Sequence, residues 1–449
     1  MKKIEKRAIM CLLLGMVLLG GVCFFIYEDW NEGNKWAVYE GNRDVFADGD
    51  LAKGGLYDVK GSLLMKNTAD GMKFNEDSDI RAACMHITGD KDNNIATGAN
   101  RVFLDKMIGY DFINGIYVLN NEGVDVNLTL DADVCATAYR ALDGRKGAVG
   151  VYNYKTGQVV CMVSSPTYDP ENVPWDIHDR AYINRFTSAA FAPGSTFKLV
   201  TSAASIENLD DAYSYSIDCV GSVDYGHDDK VTDMEAHGEV ALKKALEVSC
   251  NCYFGKLSEK LGGGLIEKYV EKTGLDSSYN IDGIETKAGT FDYPNGGVNL
   301  AWTGIGQYHD MVNPCAMMVY MGGIANGGTA LVPTIVKPEN IVSEKIDQAT
   351  ADIKSKEMID ETTAQSLTEM MRNNVEQHYG GEDAFPGLSL CAKSGTAEVE
   401  GQDQPNAWFT GFMNDENHPY AFAVIVENAG YGSDVAGAVA NTVLQDIVD

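Results

Sequence analysis

The longest uninterrupted apolar stretch of the chain runs from Ala8 to Tyr27, 20 residues without a charge. That is about the length that crosses the hydrocarbon core of a bilayer as a helix. Lys2, Lys3, Lys6 and Arg7 precede it, and Glu28, Asp29 and Glu32 follow. The asymmetry keeps residues 1–7 cytoplasmic and sends the rest outward. A cleavable signal peptide has a shorter apolar core and an A-x-A-like site, which is not seen here. Gly20-Gly21-Val22-Cys23 places a valine where a lipoprotein needs a small residue. The expectation is an uncleaved single-pass anchor over residues 8–27.

Beyond the anchor the pattern changes twice. Residues 28–126 are rich in Gly, Asn and Asp, with short apolar runs, and predict a small, irregular, mostly β pedestal. From residue 127 the runs lengthen. Asp131 is placed as the N-cap of a helix through Val134, Ala138 and Leu142. Gly147–Asn153 and Gln158–Ser164 alternate as two strands around Lys155-Thr156-Gly157, a hairpin. Three more apolar segments follow near the end, Leu388–Glu398, Asn406–Met413 and Tyr420–Asn428, and then an amphipathic helix over Ala436–Val448. Strands at both ends of a segment whose middle is helix-rich predict an α+β fold, one antiparallel sheet covered by helices, over residues 127–449. No internal repeat is evident.

Charge and cysteines narrow the classes. Against 35 Lys and Arg stand 65 Asp and Glu, a net charge of −30. Nucleic-acid binding needs clustered cations and is excluded on this balance. The acidity suits solubility outside the cell. Of ten cysteines, Cys11 and Cys23 belong to the anchor, while Cys161, Cys250, Cys252 and Cys391 sit in apolar segments where cysteine behaves as a small hydrophobe. No C-x-x-C pair or Cys/His cluster is readable from spacing, and Cys250 and Cys252 stand too close for a zinc pattern. No metal, no cofactor and no specific disulfide are expected.

The candidate chemistry centres on Ala192-Pro193-Gly194-Ser195-Thr196-Phe197-Lys198. Pro193 and Gly194 break the preceding structure, and the apolar run to Ala204 predicts a buried helix with Ser195 in its first turn. Residues i and i+3 share a helix face, so Lys198 can reach the Ser195 hydroxyl. A desolvated lysine can act as the base that activates a serine. The positive helix end beneath Ser195 favours an oxyanion. S-x-x-K alone recurs by chance in many chains. Here it is followed, in order, by Ser249-Cys250-Asn251 (S-x-N) and Lys393-Ser394-Gly395-Thr396 (K-[ST]-G-T).

With Tyr182-Ile183-Asn184-Arg185-Phe186, Gly304-Ile305-Gly306-Gln307, Ala325-Asn326-Gly327-Gly328 and Ala407-Trp408-Phe409-Thr410-Gly411, these motifs closely resemble the transpeptidase domain of class B penicillin-binding proteins. Lys53-Gly54-Gly55-Leu56-Tyr57-Asp58-Val59-Lys60-Gly61 is similar to a degenerate form of that family's R-G-x-I-x-D-R-x-G segment, with both arginines replaced.

The resemblance implies a membrane-anchored peptidoglycan D,D-transpeptidase. Ser195 would attack the penultimate D-alanine carbonyl of a stem peptide, and a neighbouring stem's amine would resolve the acyl-enzyme. It implies Lys198 as base, Ser249 as proton relay, and Asn251 as the group orienting Lys198 and substrate. Lys393 with the Ser394 and Thr396 hydroxyls, on the strand carrying Gly395, would hold the terminal carboxylate. The N–H groups of Ser195 and Thr396 would form the oxyanion hole. Implied partners are lipid II-derived glycan strands, β-lactam antibiotics, and a membrane glycosyltransferase of the shape, elongation, division and sporulation type. A β-lactamase or D,D-carboxypeptidase on the same fold stays open. Class D β-lactamases, however, carry valine where Asn251 stands, and no E-x-x-L-N segment lies between the second and third motifs. A penicillin sensor or scaffold is the third class, though such sensors have several spans. With fewer than ~130 residues ahead of the catalytic segment, an additional glycosyltransferase module is not expected. Thr196, Phe197 and Trp408 read as packing, Gln307 and Asn326 as shaping the site. None of the seven histidines is placed as a catalytic base.

Overall fold

The computed structural model describes residues 2–37, 54–68, 70–108, 110–111, 116–117, 123–177, 179–338 and 356–448. Lys53 of the degenerate segment lies outside them. The apolar run at the start is helical throughout: α1 spans Lys2–Ala37, and its stretch Ile9–Glu28 is long and apolar enough to cross a membrane.

A small sheet follows, from β1 (Gly55–Tyr57), β2 (Leu63–Thr68) and β3 (Gly71–Phe74), with β4 (Val126–Asn127) parallel to β1 at its edge. The sequence reading did not pick out α2 (Ser78–Thr88), which packs on this sheet and on the helix after Asp131. Asp77 caps it, accepting from Asp79 N at 2.7 Å, and all but three of its residues are buried.

The segment that departs from the family pattern still has a defined task. Asp58 is buried, and its carboxylate accepts from Lys60 N at 2.9 Å, Ser62 N at 2.7 Å and Ala132 N at 3.3 Å. Lys60 Nζ pairs with Asp131 at 2.9 Å and with Asp133. The turn after β1 is thereby fastened to the start of α3 (Ala132–Leu142), whose N-cap is Asp131.

The main sheet has five antiparallel strands: β5 (Gly147–Asn153), β6 (Val159–Ser165), β7 (Leu390–Ala397), β8 (Asn406–Met413) and β9 (Tyr420–Val426), in the order β7-β8-β9-β5-β6. Strands from opposite ends of the segment meet at the β9–β5 pair, in register from Tyr420–Asn153 to Val426–Gly147. Every residue of the interior strand β8 is buried, so both faces of the sheet are covered. The cover comes from two pairs of mutually packed helices. One is α3 with α8 (Gly432–Val448); the other is α6 (Pro314–Ala325) with α7 (Glu361–His378). Between them in sequence lie α4 (Lys198–Asn208) and α5 (Asn251–Leu261). The last helix starts at Gly432, four residues before the apolar periodicity becomes visible at Ala436. Gly432 closes against the Trp408 and Gly395 carbonyls, where a Cβ would come within 2.3 and 2.4 Å.

Asp58→Ala would leave three backbone N–H groups without their carboxylate. We expect a loss of about 2–4 kcal/mol, seen as a lower urea midpoint.

Candidate active site

The turn that carries Ser195 is built by its glycine. Gly194 takes φ +53°, and its N–H donates to Gly306 O at 2.8 Å. A Cβ on Gly306, itself at φ +78°, would fall 2.2 Å from the Gly194 carbonyl. This close approach forces Gly194–Phe197 into a 3₁₀ turn, and α4 begins only at Lys198. Ser195 therefore stands one turn earlier than the expected α-helical position. Thr196 serves the turn itself, its hydroxyl donating to Pro193 O at 2.8 Å, and Phe197 is buried. Trp408 is core, as expected, yet its indole N–H donates to Ala192 O at 2.9 Å and anchors the approach to the turn.

The three motifs converge on one hydroxyl. Lys198 Nζ donates to Ser249 O at 2.6 Å, to Asn251 Oδ1 at 2.7 Å and to Ser249 Oγ at 3.2 Å. Lys393 Nζ reaches the same Ser249 Oγ at 3.1 Å and donates also to Ser394 O at 2.9 Å. Among the described residues Lys198 makes no hydrogen bond to Ser195; the lysine is held by the S-x-N turn. Ser249 itself adopts φ +57°, the left-handed region that β-carbon-bearing residues avoid. Its strain turns the backbone so that its carbonyl and hydroxyl both face Lys198. Asn251 is fixed from its other end, Nδ2 donating to Thr232 O at 3.0 Å.

Both ammonium groups are fully buried. Burial, and after it the Lys393 charge, lower Lys198 from the ordinary lysine range to about 7; burial lowers Lys393 to about 7 as well. Two cations this close in a dry site cannot both stay charged near neutrality, and their protons leave as a coupled pair.

The strand carrying Lys393, Ser394, Gly395 and Thr396 is the edge strand β7, and three residues that the sequence reading missed govern its open side. Arg372 donates to Leu390 O at 3.3 Å, and Asn374 to Ala392 O at 3.2 Å. Ser394 N donates to Tyr379 Oη at 3.0 Å. With Ser394 O taken by Lys393, three outward carbonyls and one N–H of the edge are occupied up to Ser394. Alternation then leaves Thr396 as the next outward-facing position. The Tyr379 hydroxyl also meets Ser394 Oγ at 3.0 Å and accepts from Lys393 at 3.4 Å. The Thr396 hydroxyl accepts weakly from Gly432 N at 3.4 Å, which leaves its own proton to donate. Gly395 lets the Ser195 turn pack on the strand, since a Cβ there would lie 2.7 Å from Pro193 O. The signal for Arg372, Asn374 and Tyr379 was a polar helix ahead of the third motif, which does not announce an edge cap. Asn326 caps the end of α6 and accepts from Lys155 at 2.8 Å, in none of the site's hydrogen bonds.

One grouping is visible only in the fold. Spacing gave no Cys/His cluster, yet the fold brings Cys219, Asp233, His237 and Cys250 together with their ligand atoms all within 4.8 Å. They come from two β-ribbons and the S-x-N turn, so no short motif links them.

Tyr379→Phe removes an acceptor from the charged form of Lys393, which lowers that lysine's pKa. Acylation should fall, and the alkaline limb of its pH profile should move to lower pH; a purely structural loss would leave the limb in place.

Comparison with known proteins bears on the family and the fold. The chain is 26% identical over 394 residues to peptidoglycan D,D-transpeptidase PbpA of Mycobacterium tuberculosis, covering 79% of this chain and 77% of that one. Its fold matches the ceftriaxone acyl-enzyme of penicillin-binding protein A from M. tuberculosis with a TM-score of 0.74 at 22% identity, over 88% of this chain and 98% of the other. A D,D-transpeptidase domain from Eggerthella lenta matches with a TM-score of 0.75 at 23% identity, over 89% and 99% of the two chains. The model of the penicillin-binding protein transpeptidase domain covers residues 147–445, and the chain belongs to that family.

Proposed function

We propose that the protein is a serine-type peptidoglycan D,D-transpeptidase, anchored by residues 8–27, with residues 28–126 as pedestal and 127–449 as an extracytoplasmic catalytic domain. The observation that carries it is the placement of Ser249 Oγ between two buried lysines, 3.2 Å from one and 3.1 Å from the other. That arrangement supplies a neutral amine and a cation from one pair. Lys198, neutral, takes the Ser195 proton as the hydroxyl attacks the penultimate D-alanine carbonyl. The N–H groups of Ser195 and Thr396 receive the oxyanion. Ser249 passes the proton to the leaving D-alanine amine, and Asn251 holds Lys198 and the substrate amide. Lys393, charged, binds the terminal carboxylate with Ser394 and Thr396. An amine from a second stem peptide then takes the acyl group.

β-Lactams would enter by the same path and stop at the acyl-enzyme, as ceftriaxone does in the M. tuberculosis relative. A SEDS-type membrane glycosyltransferase supplying glycan strands is the partner that the implied role requires. Hydrolysis is the second reading, and the lifetime of the adduct separates the two.

Five measurements test this. Ser195→Ala should abolish labelling by a fluorescent penicillin while the melting temperature holds, and retained label removes Ser195 as nucleophile. Lys198→Ala should slow acylation about 10²–10⁴-fold. Wild-type adduct should persist for many minutes; clearance in seconds would make the protein a β-lactamase. The acylation rate should be bell-shaped in pH. At low pH both lysines are charged and no base exists; at high pH both are neutral and the carboxylate loses its cation. Lys393→Met removes the like charge beside Lys198, raises its pKa, and should move the acid limb to higher pH.

A further inference from the structure

Beside the S-x-N turn lies a group of side chains that the acyl-transfer reading does not use. Cys219 ends the strand Ser216–Cys219, whose last pair in the ribbon with Gly238–Ala241 is Cys219 with Gly238. His237 immediately precedes that partner. Asp233 follows the strand Asp229–Thr232, and Cys250 is the middle residue of Ser249-Cys250-Asn251. Cys219 and Cys250 are buried, and the side chains of Asp233 and His237 are 3% and 9% exposed.

Their geometry is specific. Cys219 Sγ is 3.7 Å from Asp233 Oδ2 and 3.7 Å from His237 Nδ1, and His237 Nδ1 is 3.3 Å from the same Asp233 oxygen. A tetrahedral zinc with bonds of about 2.3 Å to sulfur and about 2.0–2.1 Å to nitrogen or oxygen has S–N and S–O edges of about 3.5 Å and an N–O edge of about 3.3 Å. The three edges among Cys219, Asp233 and His237 lie within about 0.2 Å of these values, and the Cys250 sulfur lies within 4.8 Å of each of the other three ligand atoms. Backbone groups orient the ligands from behind: Met234 N donates to Asp233 Oδ1 at 3.2 Å, and Tyr253 N donates to Cys250 Sγ at 3.3 Å.

We propose that Cys219, Asp233, His237 and Cys250 bind a zinc-type divalent cation that fastens the S-x-N turn to the two β-ribbons. Two thiolates, one imidazole and one carboxylate form a soft, four-coordinate set with no open position, which is a structural site rather than a hydrolytic one. The ion sits one residue from each functional side chain of the turn. Cys250 is bonded in chain to Ser249 and Asn251, and Asp233 follows Thr232, whose carbonyl receives Asn251 Nδ2 at 3.0 Å. The ion would hold Ser249 in its left-handed backbone conformation and keep Asn251 on Lys198. This is independent of whether the acyl-enzyme is resolved by an amine or by water.

The test uses the full chain in detergent. Elemental analysis of protein loaded with zinc and desalted should give about one zinc per chain. Cobalt titration of stripped wild type should produce thiolate-to-cobalt charge-transfer absorption, absent from Cys219→Ser/His237→Ala. Stripping wild type with a chelator should slow labelling by fluorescent penicillin, and zinc should restore it. Ser195→Ala should keep its zinc while losing the label, which separates this proposal from that of the nucleophile. The proposal is overturned if loaded wild type holds no zinc, if cobalt gives no thiolate band, or if mass spectrometry finds Cys219 joined to Cys250 in a disulfide. Metal content unchanged in the double variant would overturn it too.

Discussion

One hydroxyl shared by two buried ammonium-bearing side chains is the constraint on which this molecule turns. Taking a cation out of water costs several kcal/mol even after relaxation, and here two are placed on either side of Ser249 Oγ. The cost is kept down by giving each amine oxygen partners and by letting the pair share a proton near neutrality. Everything nearby serves to hold that spacing. The strained backbone of Ser249 aims two oxygens at Lys198, Asn251 is gripped from both ends, and Tyr379 gives Lys393 a second hydroxyl.

The rest of the fold delivers these groups from distant parts of the chain. The sheet joins strands whose sequences are more than 230 residues apart at Tyr420–Asn153 to Val426–Gly147. That pairing places the edge strand β7 beside the Ser195 turn. The contact is so close that Gly395 and Gly194 cannot bear side chains. Stability and chemistry are thus coupled at the turn: the packing that removes water from Lys198 also sets its pKa.

Much of this was legible beforehand, for identifiable reasons. Strands Gly147–Asn153 and Asn406–Met413, and the Asp131 cap, follow from local alternation and local hydrogen bonding, which a sequence carries directly. The motif residues were singled out by their order along the chain, and the fold brings Lys198, Ser249, Asn251 and Lys393 into hydrogen-bond contact. What was not legible depends on tertiary approach. The 3₁₀ turn at Ser195 exists because Gly306 presses on Gly194. The edge caps Arg372, Asn374 and Tyr379 belong to a helix whose partner strand begins 12 residues later. The Cys219–Asp233–His237–Cys250 group is assembled from residues separated by 13, 3 and 12 others, spacings that match no short ligand motif. Helix α2 was hidden in a Gly- and Asn-rich region whose composition reads as loop.

The capped edge of β7 has one more consequence. A protein held at a membrane through α1 would diffuse in two dimensions and meet its own copies at high local concentration. An open strand edge in that setting invites pairing between neighbouring molecules. Here the Leu390 and Ala392 carbonyls and both backbone groups of Ser394 are already occupied by side chains of the same molecule. The outward position that remains at Thr396 is too brief for a second strand. The side chains that occupy this edge thus also keep crowded copies of the protein from zipping together.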